Sequence, residues 1–140
     1  MMVERAQRAT PLWRAALHVV VYAGVLASCS EQAPVTPTEL TRVSGNTQTA
    51  TVGTALAEPV TVQVIGSNGS AMQGVTVTFT VTKGGGSEAA ATQTTNADGH
   101  ASTTWTLGTE AGQNQLTVST AAIQTPVIFA ATGTAGPPSA

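Results

Sequence analysis

The feature that most constrains the fold is the stretch from Val75 to Thr82, in which apolar residues alternate strictly with Thr. Successive side chains of a β-strand point to opposite faces, so a period of two places the apolar residues on one face and the Thr residues on the other. A helix would instead need apolar residues every three or four positions. The pattern therefore predicts a strand with one buried and one solvated face.

Shorter alternating stretches recur after residue 40, and turn-forming residues separate them. Gly69, Gly74, Asp98 and Gly99 mark turns, because Gly and Asp tolerate the backbone angles that turns require. Regular short strands of this kind predict an all-β domain, a two-sheet sandwich or a small barrel. The predicted strands, about seven, are residues 40–52 with a break at 45–46, 60–64, 75–82, 88–94, 101–107, 116–118 and 127–131. The predicted core consists of Val62, Val64, Val75, Val77, Phe79, Val81, Trp105, Leu107, Leu116, Val118, Val127 and Phe129.

The N-terminal part of the chain has the pattern of an export signal. A basic leader, residues 1–14, precedes an uncharged and mostly apolar stretch, residues 15–27. That length is typical of a signal-peptide core and is short for a membrane-spanning helix, which needs about 20 residues. The stretch ends in Leu26, Ala27 and Ser28 directly before Cys29, which resembles the lipobox of bacterial lipoproteins.

The lipobox resemblance implies that a diacylglycerol is attached to the Cys29 thiol and that a peptidase cuts before Cys29. Acyl chains on this residue would anchor the protein to a membrane. Ser30 resembles the pattern of outer-membrane lipoproteins. The resulting expectation is a signal peptide at residues 1–28, an anchored Pro/Thr linker at 29–40, a folded domain at 41–134 and a Gly/Pro tail at 135–140. The alternatives are an ordinary signal peptide with a freely secreted domain, or a retained transmembrane anchor.

Charge and cysteine content exclude several classes of function. From residue 29 onward, two basic residues stand against six acidic ones, so a nucleic-acid interface is not expected because no basic patch could neutralise phosphates. Cys29 is the one cysteine, which excludes an internal disulfide and a multi-cysteine metal site.

A resemblance to a known family covers about residues 41–134. The matching stretches are Val43-Ser44-Gly45, Val52-Gly53-Thr54, Gly74 to Phe79, Thr95 to Gly99, Trp105 with Leu107-Gly108, and the final strand from Val127 to Ala131. Their glycines and strands resemble bacterial immunoglobulin-like (Ig-like) domains of the invasin/intimin type, group 1. The resemblance implies an Ig-like β-sandwich that serves in surface display and cell adhesion. This sequence holds one copy of the pattern, whereas that family usually carries tandem arrays.

Several residues invite a chemical interpretation, and each has a structural alternative. Asp98 and His100 could suggest a metal loop or a catalytic triad, but no further carboxylate or nucleophile motif accompanies them. Trp105 could stack on a ligand, yet its alternation with its neighbours predicts an inward orientation. The glycine run at 84–86 lacks the residues of a phosphate-binding loop and is interpreted as a loop between strands. The Thr row at 76–82 is interpreted as a solvated face of the sandwich. No catalytic residue, metal or cofactor is therefore expected.

The leading hypothesis is a non-enzymatic lipoprotein of the cell envelope whose Ig-like domain is a structural or protein-interaction module. Its lipid is expected to place it at the outer membrane. The membrane is contacted through the lipid on Cys29, and the envelope protein or glycan partner is unspecified. The alternatives are a surface adhesin or ligand-binding lipoprotein, and a freely secreted Ig-like binding domain.

Overall fold

The computed structural model describes residues 32–139, and within that range the chain is built from ten β-strands. The signal peptide and the lipobox with Cys29 lie outside the described residues. No helix in the described range has the length and apolar character needed to cross a membrane.

The strands form two main sheets and one short ribbon. The first sheet has the order β1 (Pro37–Ser44), β3 (Val60–Gly66), β7 (His100–Thr103). The second sheet has the order β2 (Gln48–Thr51), β10 (Ile123–Thr134), β9 (Gly112–Thr120), β4 (Thr76–Lys83), β6 (Thr92–Thr94). The ribbon pairs β5 (Ser87–Glu88) with β8 (Trp105–Thr106). All strand pairs are antiparallel except β2 with β10, which is parallel.

The alternating sequence pattern explains which side of each strand is buried. In β4, Val77 and Phe79 are buried between the sheets, whereas Thr76 and Thr80 are exposed. The all-β sandwich predicted from this alternation is confirmed, because the residues that alternate in the sequence face one another across the two sheets. The buried apolar residues are Leu40, Leu56, Val60, Val62, Val64, Val77, Phe79, Ala101, Trp105, Leu107, Leu116, Val118, Phe129 and Ala131.

Three predicted strands are each interrupted, which is why about seven predicted strands become ten. The first breaks after Ser44, where Gly45 has a φ of 89° and Thr47 a φ of 58°, and the chain crosses from one sheet to the other. A side chain at position 45 would meet the Pro59 carbonyl oxygen at 2.5 Å, so the crossing requires glycine there. The predicted strand at 88–94 is likewise divided into β5 and β6, and the one at 101–107 into β7 and β8.

The first strand also begins earlier than the predicted domain start at residue 41. β1 begins at Pro37, so the last four residues of the predicted linker lie in the sheet. Proline is tolerated as the first residue of an edge strand because that position need not donate a ladder hydrogen bond. Leu40 is buried and faces Val64 across the ladder, which explains why the strand extends to this point.

The buried hydroxyl of Thr95 holds the start of β4 in place. Thr95 is 3% exposed; its Oγ1 accepts the Val75 N–H at 2.9 Å and donates to the Met72 carbonyl at 2.6 Å. Valine has the same shape without the hydroxyl, so a substitution would leave both backbone groups without this partner.

We expect Thr95→Val to lower the free energy of unfolding by about 1–3 kcal/mol, the cost of leaving buried polar groups unpaired. Urea denaturation followed by circular dichroism measures the change. The matched control is Thr80→Val, which removes an exposed hydroxyl and should change stability by less than about 0.5 kcal/mol. Equal midpoints for the two variants would show that the Thr95 bridge contributes nothing.

Candidate functional site

The residues that suggested chemistry in the sequence serve as turn and core residues in the structure. Asp98 is exposed in the turn before β7, where the side-chain oxygen of Asn96 accepts the N–H groups of Asp98 and His100, each at 3.0 Å. Gly99 completes the turn with a φ of 73°. Among residues 32–139, no three His, Cys, Asp or Glu side chains cluster closely enough to hold a metal ion.

Trp105 is fully buried and does not form an exposed ligand platform. Its relative exposure is 0%, and its neighbours at alternate positions, Thr103 and Leu107, are buried with it. The Trp105 carbonyl accepts the Leu56 N–H at 2.8 Å, which draws the loop after β2 over the core. Trp105 thus lies in the interior of the sandwich.

The other predicted core and turn residues lie near their expected places. Nine of the twelve core residues are buried, and Val75, Val81 and Val127 are partly buried and pack against the core. Gly69 and Gly74 have φ values of 78° and 81°, as their turns require. The core list missed Leu40, Leu56, Val60, Ala101 and Ala131.

Two neighbouring glycine segments meet at one end of the sandwich. Gly84 and Gly86 follow β4, and Gly108 follows β8. A Cβ atom on Gly108 would overlap the Gly84 carbonyl oxygen, and one on Gly86 would overlap the Thr106 carbonyl oxygen. The glycine run is therefore a site of close backbone packing rather than a ligand loop.

A surface groove lies between β1 and β10, with a volume of about 550 Å³. It opens where one edge of the first sheet lies near one edge of the second. Leu40 and Arg42 line one side and Val127 and Ile128 the other. Ile128, one of the exposed large apolar side chains, lines it and is 48% exposed.

Arg42 crosses this groove and ties the two strands together. Its Nη1 donates to the Ile128 carbonyl at 3.0 Å, across 86 positions of sequence. No Asp or Glu among residues 32–139 forms an ion pair with Arg42. The groove therefore has a mixed polar and apolar lining, and no Asp or Glu of the described part of the chain pairs with its cation.

A second, smaller groove of about 220 Å³ lies on the opposite side, between β6 and β7. There the Thr103 hydroxyl accepts the Ala90 N–H at 3.0 Å, and it donates to the Ala90 carbonyl at 3.1 Å. The segment around Ala90 thus covers part of the β7 edge. Sequence patterns did not indicate either groove, because each lies between strands that are far apart in the chain.

Comparison with solved structures identifies the same architecture in bacterial surface proteins. The D00-D0 domain of intimin matches with a TM-score of 0.53 and 23% identity, covering 76% of this chain and 50% of that one. The Yersinia pseudotuberculosis adhesin InvE matches with a TM-score of 0.55 and 21% identity, covering 72% and 32%. A 282-residue C-terminal fragment of intimin, in complex with the intimin-binding domain of the translocated intimin receptor, matches with a TM-score of 0.51 and 23% identity, covering 71% and 33%.

The match therefore spans about half the length of the intimin fragment named first. At these identities the likeness concerns the fold, which is the bacterial Ig-like sandwich of the invasin/intimin type, as the sequence resemblance implied. A comparison with curated proteins found no match. The family model of macroglobulin domain MG4 matches residues 59–133, more than half of the 140 residues. By that match the chain belongs to the macroglobulin domain MG4 family, and it has the fold of an intimin-type Ig-like domain.

Proposed function

We propose that this chain is a non-enzymatic cell-envelope lipoprotein whose Ig-like domain acts as a structural or protein-interaction module. The observation that carries the proposal is Cys29, which ends an apolar segment in lipobox order and is followed after a short linker by the sandwich. Lipid on this residue would hold the domain at a membrane surface, with the outer membrane as the expected location. The fold-level likeness to adhesins supports an envelope setting.

The attachment of the first strand limits how far the domain could stand from its membrane. The Ser67 N–H donates to the Thr36 carbonyl at 2.8 Å, so the linker is already bound to the sandwich at Thr36. The chain between Cys29 and Thr36 has six residues, so as a tether it could span at most about 20 Å at roughly 3.3 Å per residue. Such a short tether favours partners within the envelope over partners on a distant cell.

A surface adhesin is the second candidate, and the fold of InvE and of the receptor-bound intimin fragment favours it. Adhesion would require that the domain face outward and that one of its surfaces bind a ligand. Proteolysis of intact cells separates the two functions: an adhesin would be cleaved by external protease, whereas a module facing the periplasm would be protected.

The lipid anchor is tested by producing the full chain and Cys29→Ala in a Gram-negative host and analysing membranes and soluble fractions. We expect the mature N-terminus of the unsubstituted protein to begin at Cys29 with the mass of attached acyl chains. Cys29→Ala should move most of the protein out of the membrane fraction, because the site of acylation is lost.

Ser28→Ala is the matched control, since it keeps a small residue before the cleavage point and should leave both processing and membrane association unchanged. An N-terminus that begins elsewhere, without acyl mass, would contradict the lipoprotein proposal. It would favour a freely secreted Ig-like domain.

A further inference from the structure

The part of β10 that borders the large groove has an unpaired edge. β2 pairs with β10 only from Ala131 to Thr134. The backbone of Ala130 is satisfied by the Thr47 N–H at 2.8 Å and by the Asn46 side-chain oxygen at 3.0 Å. Before Ala130, no strand of the described residues forms a backbone ladder with β10 on this side, where β1 lies across the groove, although β9 pairs with β10 on the other side.

The backbone of Ile128 points to this open edge rather than to β9. Its carbonyl accepts the Arg42 Nη1 donor from β1. In an antiparallel pair the N–H and C=O of one residue point to the same side, so the Ile128 N–H faces the same edge. This edge is partly capped, because Arg42 already bonds to the Ile128 carbonyl and Pro126, two residues earlier, has no N–H. The Ile128 N–H is therefore the donor that the edge offers to another strand, and the Ile128 side chain is 48% exposed.

The groove beside this edge has the lining that an added strand would need. Leu40 is buried and Val127 partly buried, so inward-facing apolar side chains of a guest strand would contact the core of the sandwich. Arg42 is exposed and also lines the groove, and its guanidinium carries five N–H donors, of which one bonds to the Ile128 carbonyl. Because no carboxylate of the described residues pairs with Arg42, the charge complement of the groove is a carboxylate.

We propose that the groove between β1 and β10 binds an extended segment of a partner protein, a short strand with apolar side chains at alternate positions and one carboxylate. The strand adds to the second sheet beside Ile128, in line with β2, and its carboxylate pairs with Arg42. The proposal rests on the function proposed above and names the partner class and the site for that interaction module. A second copy of the same edge is a poorer occupant, because a two-fold contact would bring like charges of Arg42 together.

Two synthetic peptides test the proposal on the full chain in detergent solution. One is TVTETVTV and the other TVTQTVTV, both blocked at their ends, so that they differ only in the charge of one inward-facing side chain. NMR titration of the isotope-labelled protein should show that the acidic peptide shifts the Ile128 amide and slows its hydrogen exchange. The glutamine peptide should bind about tenfold more weakly, which corresponds to about 1.4 kcal/mol.

Two substitutions address the two recognition elements separately. Arg42→Gln should remove the preference for the acidic peptide, so that both peptides bind equally weakly. Ile128→Pro deletes the edge N–H and should weaken both peptides, while the ladder to β9 keeps its hydrogen bonds because that N–H does not face β9. Lys83→Gln, which removes a cation distant from the groove, should leave both affinities unchanged, and circular dichroism verifies that each variant is folded.

The outcomes separate this proposal from the lipoprotein function. Binding that shifts residues elsewhere, equal affinity for the two peptides, or no binding of either at about 1 mM would overturn the groove proposal. Shifts at Ile128 that depend only on protein concentration would identify a second copy as the occupant and would also overturn it. None of these results would affect the acylation of Cys29, which is measured independently.

Discussion

Trp105→Ala is expected to lower the free energy of unfolding by about 3–5 kcal/mol, because it removes the largest fully buried side chain among residues 32–139 and leaves a cavity. Domains of this size are typically stable by about 5–15 kcal/mol, so the loss would be a large fraction of the total. Urea denaturation followed by far-ultraviolet circular dichroism measures the change. Val43→Ala, at a position 48% exposed, is the control and should shift stability by less than about 0.5 kcal/mol.

Trp105→Phe refines the same test. The Trp105 Nε1 has no hydrogen-bond partner among the described residues, so phenylalanine would remove indole volume without breaking a hydrogen bond. We expect a loss smaller than that of the alanine variant. A loss below about 1 kcal/mol for Trp105→Ala would contradict the core role and would restore the interpretation of Trp105 as an exposed platform.

Gly108→Ala should destabilise the domain by about 1–3 kcal/mol, the range for forcing extra atoms into packed structure. The new Cβ would overlap the Gly84 carbonyl oxygen, which belongs to the backbone and cannot rotate away as a flexible side chain could. The same denaturation measurement gives the change. The effect arises from backbone contact between two loops, so it should appear although no side chain is lost.

Gly136→Ala is the matched control for that experiment. The nearest atom to a Cβ at position 136 is Thr51 Cγ2 at 3.6 Å, which is an ordinary van der Waals contact. Its midpoint should equal that of the unsubstituted protein. If Gly108→Ala also leaves the midpoint unchanged, the close approach of the two glycine segments is not a constraint on the fold.

Much of the strand content could be predicted because it depends on near neighbours. The alternation of Val77 and Phe79 with Thr determines which face of β4 is buried. The same reasoning placed Trp105 inside. Leu56 was missed because it lies outside any alternating stretch; it is buried in a loop whose Leu56 N–H bonds to the Trp105 carbonyl.

The groove between β1 and β10 was harder to predict from the sequence than the fold. Arg42 appeared only as one of two cations after residue 29, with no motif around it. Its position in the groove depends on Ile128, which lies 86 positions away. Contacts at such separation leave no periodic signal, so neither the groove nor its charge could be predicted.

By itself, the sequence determined the spacing of the strands, the buried face of each and the turns that separate them, because these follow from residues one to four positions apart. The tertiary structure alone decided that the first predicted strand divides between two sheets and that β2 runs parallel to β10. It also decided that no strand of the described residues pairs with the outer edge of β10 before Ala130. The physical reason is that strand pairing is selected by hydrogen bonds and packing between distant segments, and local side-chain alternation carries no information about which segment will be the partner.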